Sequence, residues 1–332
     1  MSWLNSLKLE LNYYVISILC VSLGVFLCTS IYRFAERQTR LSVLNRIPGP
    51  KPFPILGNTL ELKLKGGDRH FSKHSVRRTK WKQRRKLLTP AFHFKILEDF
   101  IDVFNQKSFK FVSNLEVNLN GKPFDIFPYV TLCALDIILE WVNSQLIVKY
   151  VLGDRKPRLA FLDLLLESAE ENEDLSDEDI REEVDTFMFA GHDTVAASLN
   201  WTLYLLGCHP SIQNKVYEEL EAIFGKSDRA AASSDIREMK YLECCIKESL
   251  RLFPSVPIYG RELKENLVVG EYVIPKETNV FVIAYQLHRD PDQFPDPNSF
   301  KPERFLSENS VKRNPYAYVP FGAGSRNCIE NV

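Results

Sequence analysis

Residues 321–330 read FGAGSRNCIE: two glycines, an arginine and a cysteine within seven positions of Phe321. Gly322 and Gly324 let the backbone turn back tightly on itself. A plain turn needs no more than that, and a dinucleotide-binding loop would need a third glycine and a following helix. Asn327 occupies that third position, so the dinucleotide reading fails. The other six cysteines (Cys20, Cys28, Cys133, Cys208, Cys244 and Cys245) are scattered and form neither a disulfide framework nor a paired metal-binding pattern, which implies a reducing compartment. Cys328 alone sits in a context that suggests chemistry.

Upstream, KESLR puts Glu248 and Arg251 three apart on one helical face, close enough to pair. The surrounding MKYLECCIKESLRLF has helical spacing, with Leu242, Ile246, Leu250 and Phe253 on one face and a stop at Pro254. Earlier still, Ser176 opens a capping box with Asp179 and starts a helix of roughly 30 residues, or about 45 Å. AGHDT lies in its middle, where the Thr194 hydroxyl can bond back to the Ala190 carbonyl and open a groove beside Gly191. His192 is read as a non-ligand. Near the start of the soluble part, WKQRR sets Trp81 and Arg85 one helical turn apart.

The segments AFHFKILEDFIDVFNQKSFKF and GKPFDIFPYVTLCALDIILEWV carry further helical patterns, while LVVGEYVIP and NVFVIAYQL read as short strands. HRDPDQFPDPNSFKPERF, with four prolines, is an irregular meander. At the other end, residues 13–31 are 19 positions without a charge, about 28 Å as a helix against a hydrocarbon core of about 30 Å. Arg33, Arg37, Arg40 and Arg46 follow, so the run is expected to be a retained membrane anchor with the rest of the chain in the cytosol. RIPGPKPFPILGN reads equally as a stiff hinge or an ordinary linker. Eight basic residues without an acid lie between Lys73 and Lys86, either a solvated face or a contact for anionic lipid or an acidic protein. A net charge of −1 over 332 residues offers no field to gather nucleic acid.

In this order, AGHDT, KESLR, FKPERF and FGAGSRNC resemble the cytochromes P-450. The resemblance implies a mainly α fold with small β-sheets, preceded here by one N-terminal transmembrane helix. It implies haem (heme b) held through iron by Cys328, whose thiolate donates electron density that favours O–O cleavage. Phe321, Gly322 and Arg326 of the loop, Trp81, Arg85 and Arg261, and Ala190 with Gly191 would complete the cofactor site, the cations facing propionates. Asp193 and Thr194 would relay protons to bound dioxygen. Arg304 of FKPERF would join Glu248 and Arg251 in the family's structural triad.

The stretches FLDLLLESAEENEDLSDEDIREEVDTFMFAGHDT, YLECCIKESLRLFPSVP and NPYAYVPFGAGSRNCI are similar to the fourth P-450 family, near its 4V and insect 4C members. Such relatives are mostly fatty-acid hydroxylases of endoplasmic-reticulum membranes, fed by NADPH through a reductase. Ala190 stands where many of them have an acid esterified to haem, so non-covalent haem is expected. The organisation this implies is an anchor over 1–32, a hinge over 33–58 and a haem-thiolate domain over 59–332. Relatives carry blocks near 59–80 and 141–160, and a C-terminal end, that this chain does not match. The alternative to an enzyme is a membrane-anchored remnant without catalysis, from splicing or an incomplete gene model.

Overall fold

The computed structural model describes residues 78–92, 98, 100–143, 161–171 and 175–329, together with 22, 24–36, 38, 39 and 42. The chain divides into two compact units, one formed by 73–259 with 282–332 and the other by 1–72 with 260–281. The first carries helices α1 (Arg78–Leu88), α2 (Ile101–Leu115), α3 (Phe127–Asn143), α4 (Phe161–Glu171), α5 (Asp177–Cys208), α6 (Pro210–Phe224), α7 (Ser233–Glu238) and α8 (Lys240–Leu252). Strands β1 (Tyr259–Glu262), β2 (Leu267–Val269), β3 (Tyr272–Ile274) and β4 (Asn279–Val282) follow, then the short helix α9 (Ala284–Leu287).

α5 begins where the capping residues require. Ser176 has an extended backbone, its hydroxyl accepts the Asp179 amide at 3.3 Å, and Asp179 accepts the Ser176 amide at 3.2 Å. The same carboxylate takes Lys80 at 2.9 Å and pairs with Arg84, so one acid both caps α5 and fastens α1 to it. The hydrogen bond from Lys80, with those from Ser176, holds the Asp179 carboxyl far below the usual carboxylate range. At 32 residues α5 spans about 48 Å and stops at Cys208, with Pro210 opening α6.

The largest core cluster gathers Leu88, Phe92, Phe100, Trp141, Phe161, Leu165 and Phe187 from α1 to α5. Its centre is aromatic: Trp141 lies 4.7 Å from Phe92 and 4.8 Å from Phe161, and Phe161 meets Phe187 edge-on at 4.8 Å. Val130 and Ala134 of α3 close on Ala196 of α5 in a smaller cluster. A third, with Leu205, Val216, Cys245, Leu252 and Phe300, joins α5, α6 and α8 to the meander.

α8 keeps the apolar face its spacing suggests at Leu242, Leu250 and Phe253, but not at Ile246, and it buries polar residues as well. Ile246 is exposed, whereas Cys244, Cys245, Glu248, Ser249 and Arg251 are buried. The buried side is chosen by an ion-pair cluster rather than by hydrophobicity alone. In the second unit, β2 and β3 form an antiparallel hairpin in the register Leu267↔Ile274, turning at Gly270, where φ is +59°. β1 pairs with β4. The segment NVFVIAYQL is strand only to Val282, after which Ala284–Leu287 coil into α9.

Most of the expected anchor lies outside the described residues. Residues 24–36 are helical. Among the described residues no helix is long and apolar enough to cross a membrane, so the expected transmembrane helix has no support from the structure. Of the expected hinge over 33–58, residues 37, 40, 41 and 43–58 lie outside the described residues, as do 59–77, 144–160 and 330–332.

Candidate functional site

The loop around Cys328 is closed by its own backbone. The Gly322 amide donates to the Val319 carbonyl at 3.1 Å, the Asn327 amide to Gly324 at 3.1 Å, and the Cys328 amide reaches back to Phe321 at 2.8 Å. Gly322 and Gly324 have φ of +70° and +77°, a region that side chains with a Cβ disfavour, so both glycines are required by the turn.

α1 delivers its two predicted side chains to this loop. Arg85 donates to the Asn327 carbonyl at 2.7 Å and to its side-chain oxygen at 3.1 Å, with the Cys328 carbonyl at 3.5 Å. The Arg326 guanidinium lies over the Trp81 ring at 4.0 Å, a cation–π contact. Thus Trp81, Arg85, Arg326 and the half-buried Cys328 share one place, while Phe321 at its rim is exposed. Ile329 packs against the aromatic core cluster that includes Phe187 and Met188 of α5.

Further along α5, the Thr194 hydroxyl donates to the Ala190 carbonyl at 2.7 Å, the back-bond expected from AGHDT, and Gly191 is buried. His192 sits 2.7 Å from the Met188 carbonyl through Nδ1. Asp193 is exposed. Two residues not predicted for the site support it: Ser255 donates to the Thr194 carbonyl at 2.8 Å, and Asn327 supplies acceptors for Arg85. A polar residue directly after FP, and an amide side chain next to the cysteine, were the available signals.

The triad residues meet. Glu248 accepts Arg251 through Nε at 2.7 Å and Nη2 at 2.8 Å, and it also accepts the Lys301 amide at 2.9 Å. Arg304 Nε lies 3.3 Å from the same carboxylate, a charge pair without hydrogen-bond alignment. Arg261 belongs to the other unit, where its guanidinium donates to the Gly260 carbonyl at 2.8 Å. Of the basic run, Lys80 and Arg84 are taken up by Asp179, Glu182 and Glu183, and Arg85 by the loop; Lys82 and Lys86 remain exposed. A cavity of about 450 Å³ on the C-terminal half of α5 is lined by Ile126, Phe127, Ala197, Asn200, Trp201, Leu203 and Tyr204, none of them a predicted site residue.

A helical fold in which a glycine-turned cysteine loop meets a tryptophan and two arginines, beside a buried Glu–Arg cluster, defines a haem-thiolate class of protein. The chain belongs to the cytochrome P450 family, whose profile matches residues 74–145 and 143–329. It is 39% identical to cytochrome P450 4V2 of Pongo abelii over 90% of this chain and 75% of that one. With cytochrome P450 4c3 of Drosophila melanogaster it shares 41% identity, and with cytochrome P450 4V2 of Homo sapiens 43%. Each of the latter two alignments covers 75% of this chain and 62% of the relative.

The donor set fits haem in its chemistry: a cysteine sulfur for iron, with an indole N–H and two guanidinium groups beside it for carboxylates.

Proposed function

We propose that this chain is a haem-thiolate monooxygenase that hydroxylates a fatty-acid-like or other hydrophobic substrate, with dioxygen and electrons from an NADPH-dependent reductase. The observation that carries the reading is the meeting of Trp81, Arg85 and Arg326 at the Cys328 loop. Cys328 would ligate iron, and Trp81, Arg85 and Arg326 would hold the propionates. When bound, the haem supplies dioxygen activation. The protein's own residues do the rest. Thr194, whose proton is held on the Ala190 carbonyl, keeps its oxygen lone pairs available to accept a proton. Asp193, exposed on the same turn, takes protons from water and passes them to Thr194. Ala190 offers no carboxylate for an ester, so the haem is non-covalent. The exposed Lys82 and Lys86 suit an acidic redox partner. An anchor over 1–32 and a hinge over 33–58 would hold the domain at the cytosolic face of the endoplasmic-reticulum membrane.

The test is the carbon-monoxide difference spectrum of the reduced, full chain, with Cys328→Ser as control. A thiolate Soret band lost in the variant supports the reading; a spectrum unchanged by the substitution refutes it. Extraction of all haem into acidified organic solvent is the result expected for non-covalent attachment.

A second reading, a haem-free remnant, is favoured by one observation. The alignment with the Pongo abelii protein extends over 392 positions, more than the 332 residues of this chain, and the family match breaks into two pieces at 143–145. The break supports a missing segment near 141–160, and the block near 59–80 belongs to the same proposal. Failure of the purified chain to take up haem would select this reading.

A further inference from the structure

We infer that His288 is a positioning residue for the cysteine loop, the group through which the buried Glu248–Arg251 cluster sets where that loop begins; for its bearing on haem this rests on the reading of Cys328 as ligand. His288 is fully buried. Its Nε2 accepts the Val319 amide at 2.9 Å, so the ring is the tautomer protonated at Nδ1, which faces the Leu250 and Arg251 carbonyls without an aligned hydrogen bond. Its own carbonyl accepts Arg251 Nη1 at 2.9 Å.

A continuous run of bonds therefore leads from the ion-pair cluster to the sulfur-bearing residue. Arg251 holds the His288 main chain, and the His288 ring holds the Val319 amide. The Val319 carbonyl takes Gly322, and Phe321 takes the Cys328 amide. Tyr318, next to this run, donates to the Lys247 carbonyl of α8 at 2.9 Å and packs its ring 5.2 Å from the imidazole. The entry of the loop is thus fastened to α8 and α9 by two adjacent residues, and its exit to α1 by Arg85. A backbone amide at 319 needs an acceptor here, because Val319 is 8% exposed and water cannot replace one. A side chain that supplies a neutral acceptor at the Nε2 position should do the work of histidine; one that does not should release the loop.

The experiment compares the full-length wild-type chain with His288→Gln, which can present an oxygen where Nε2 stands, and His288→Leu, which cannot. Amide hydrogen exchange is read at Val319, Gly322 and Cys328, and at residues 244–251 of α8. In His288→Leu the loop amides are expected to exchange faster by on the order of tenfold or more, with α8 unchanged, and in His288→Gln they return to near wild type. Equal loop protection in all three proteins, or a Gln variant as loose as the Leu variant, overturns the inference. If His288→Leu loses protection everywhere, the comparison of His288→Gln with wild type decides: a protected loop supports the inference and a loosened one overturns it. Haem-loaded samples add the carbon-monoxide spectrum, whose thiolate band should shrink in Leu and be rescued in Gln. Absence of pigment in all three would refute the haem reading while leaving the exchange result to judge His288.

Discussion

Glu248→Ala tests the ion-pair cluster most directly. Arg251 spends all five N–H groups: two on Glu248 and one each on the carbonyls of His288 and Pro297, through Nη1, and of Ser299, through Nη2. Glu248 in turn serves Arg251, the Lys301 amide and the nearby Arg304, and both Glu248 and Arg251 have no exposed surface. Removing the carboxylate leaves one buried guanidinium without its counter-charge and the Lys301 amide without an acceptor. Breaking a buried pair in this way costs about 3–5 kcal/mol. In a unit of this size that corresponds to a fall in Tm of about 10 °C. Urea unfolding followed by far-ultraviolet circular dichroism reads the loss as a shifted midpoint at unchanged slope. Because neither charge meets solvent, raising ionic strength should not restore the lost stability. A midpoint within about 1 kcal/mol of wild type, or a deficit that salt abolishes, would refute the account of α8, since both are the signature of a solvated surface pair.

Three more expectations follow from the packing. Burial lowers the His288 imidazole from its ordinary 6.5 to about 4, so the unfolded chain takes up a proton over that interval and the folded chain does not. Stability supplied by the neutral ring is complete above pH 6.5 and drains away by about 3 kcal/mol as pH falls to 4; the urea midpoint of wild type should approach that of His288→Gln across this window, and a pH-independent difference would contradict it. Ser176→Ala removes the hydroxyl that caps α5 and should lower stability by about 1 kcal/mol in the same assay, with a null effect contradicting the cap. Trp141→Ala opens a hole among Phe92, Phe161 and Phe187 and should cost about 3–5 kcal/mol; a smaller loss would mean the aromatic cluster is loosely packed.

The sequence was most informative where chemistry demands particular residue types at short range. The capping box at Ser176, the back-bond from Thr194 to Ala190, the pairing of Glu248 with Arg251 and the positive-φ turns at Gly322 and Gly324 are all set by neighbours a few positions away. Long-range partners were harder. That Arg85 would take main-chain carbonyls of Asn327 and Cys328, or that Ser255 would hold the Thr194 carbonyl, depends on which helices meet, and side-chain spacing along one helix is silent on that. One position of the α8 face was misjudged for a related reason: Leu242, Leu250 and Phe253 pack inward as the period requires, but a buried charge pair shares that side and Ile246 is left outside. The basic run likewise looked uniform, although three of its members are held by acids and carbonyls that lie about a hundred positions or more downstream.

The bond from Arg85 to the Asn327 carbonyl joins residues 242 positions apart. Closing so long a span early would sacrifice chain freedom before the intervening helices could repay it, so this clasp belongs among the last events of folding. The two halves of the proposed haem cradle are therefore brought together only after the helices between them have packed. A nick anywhere along that intervening chain, even one remote from the sulfur, would therefore strike first at the cradle's ability to form anew.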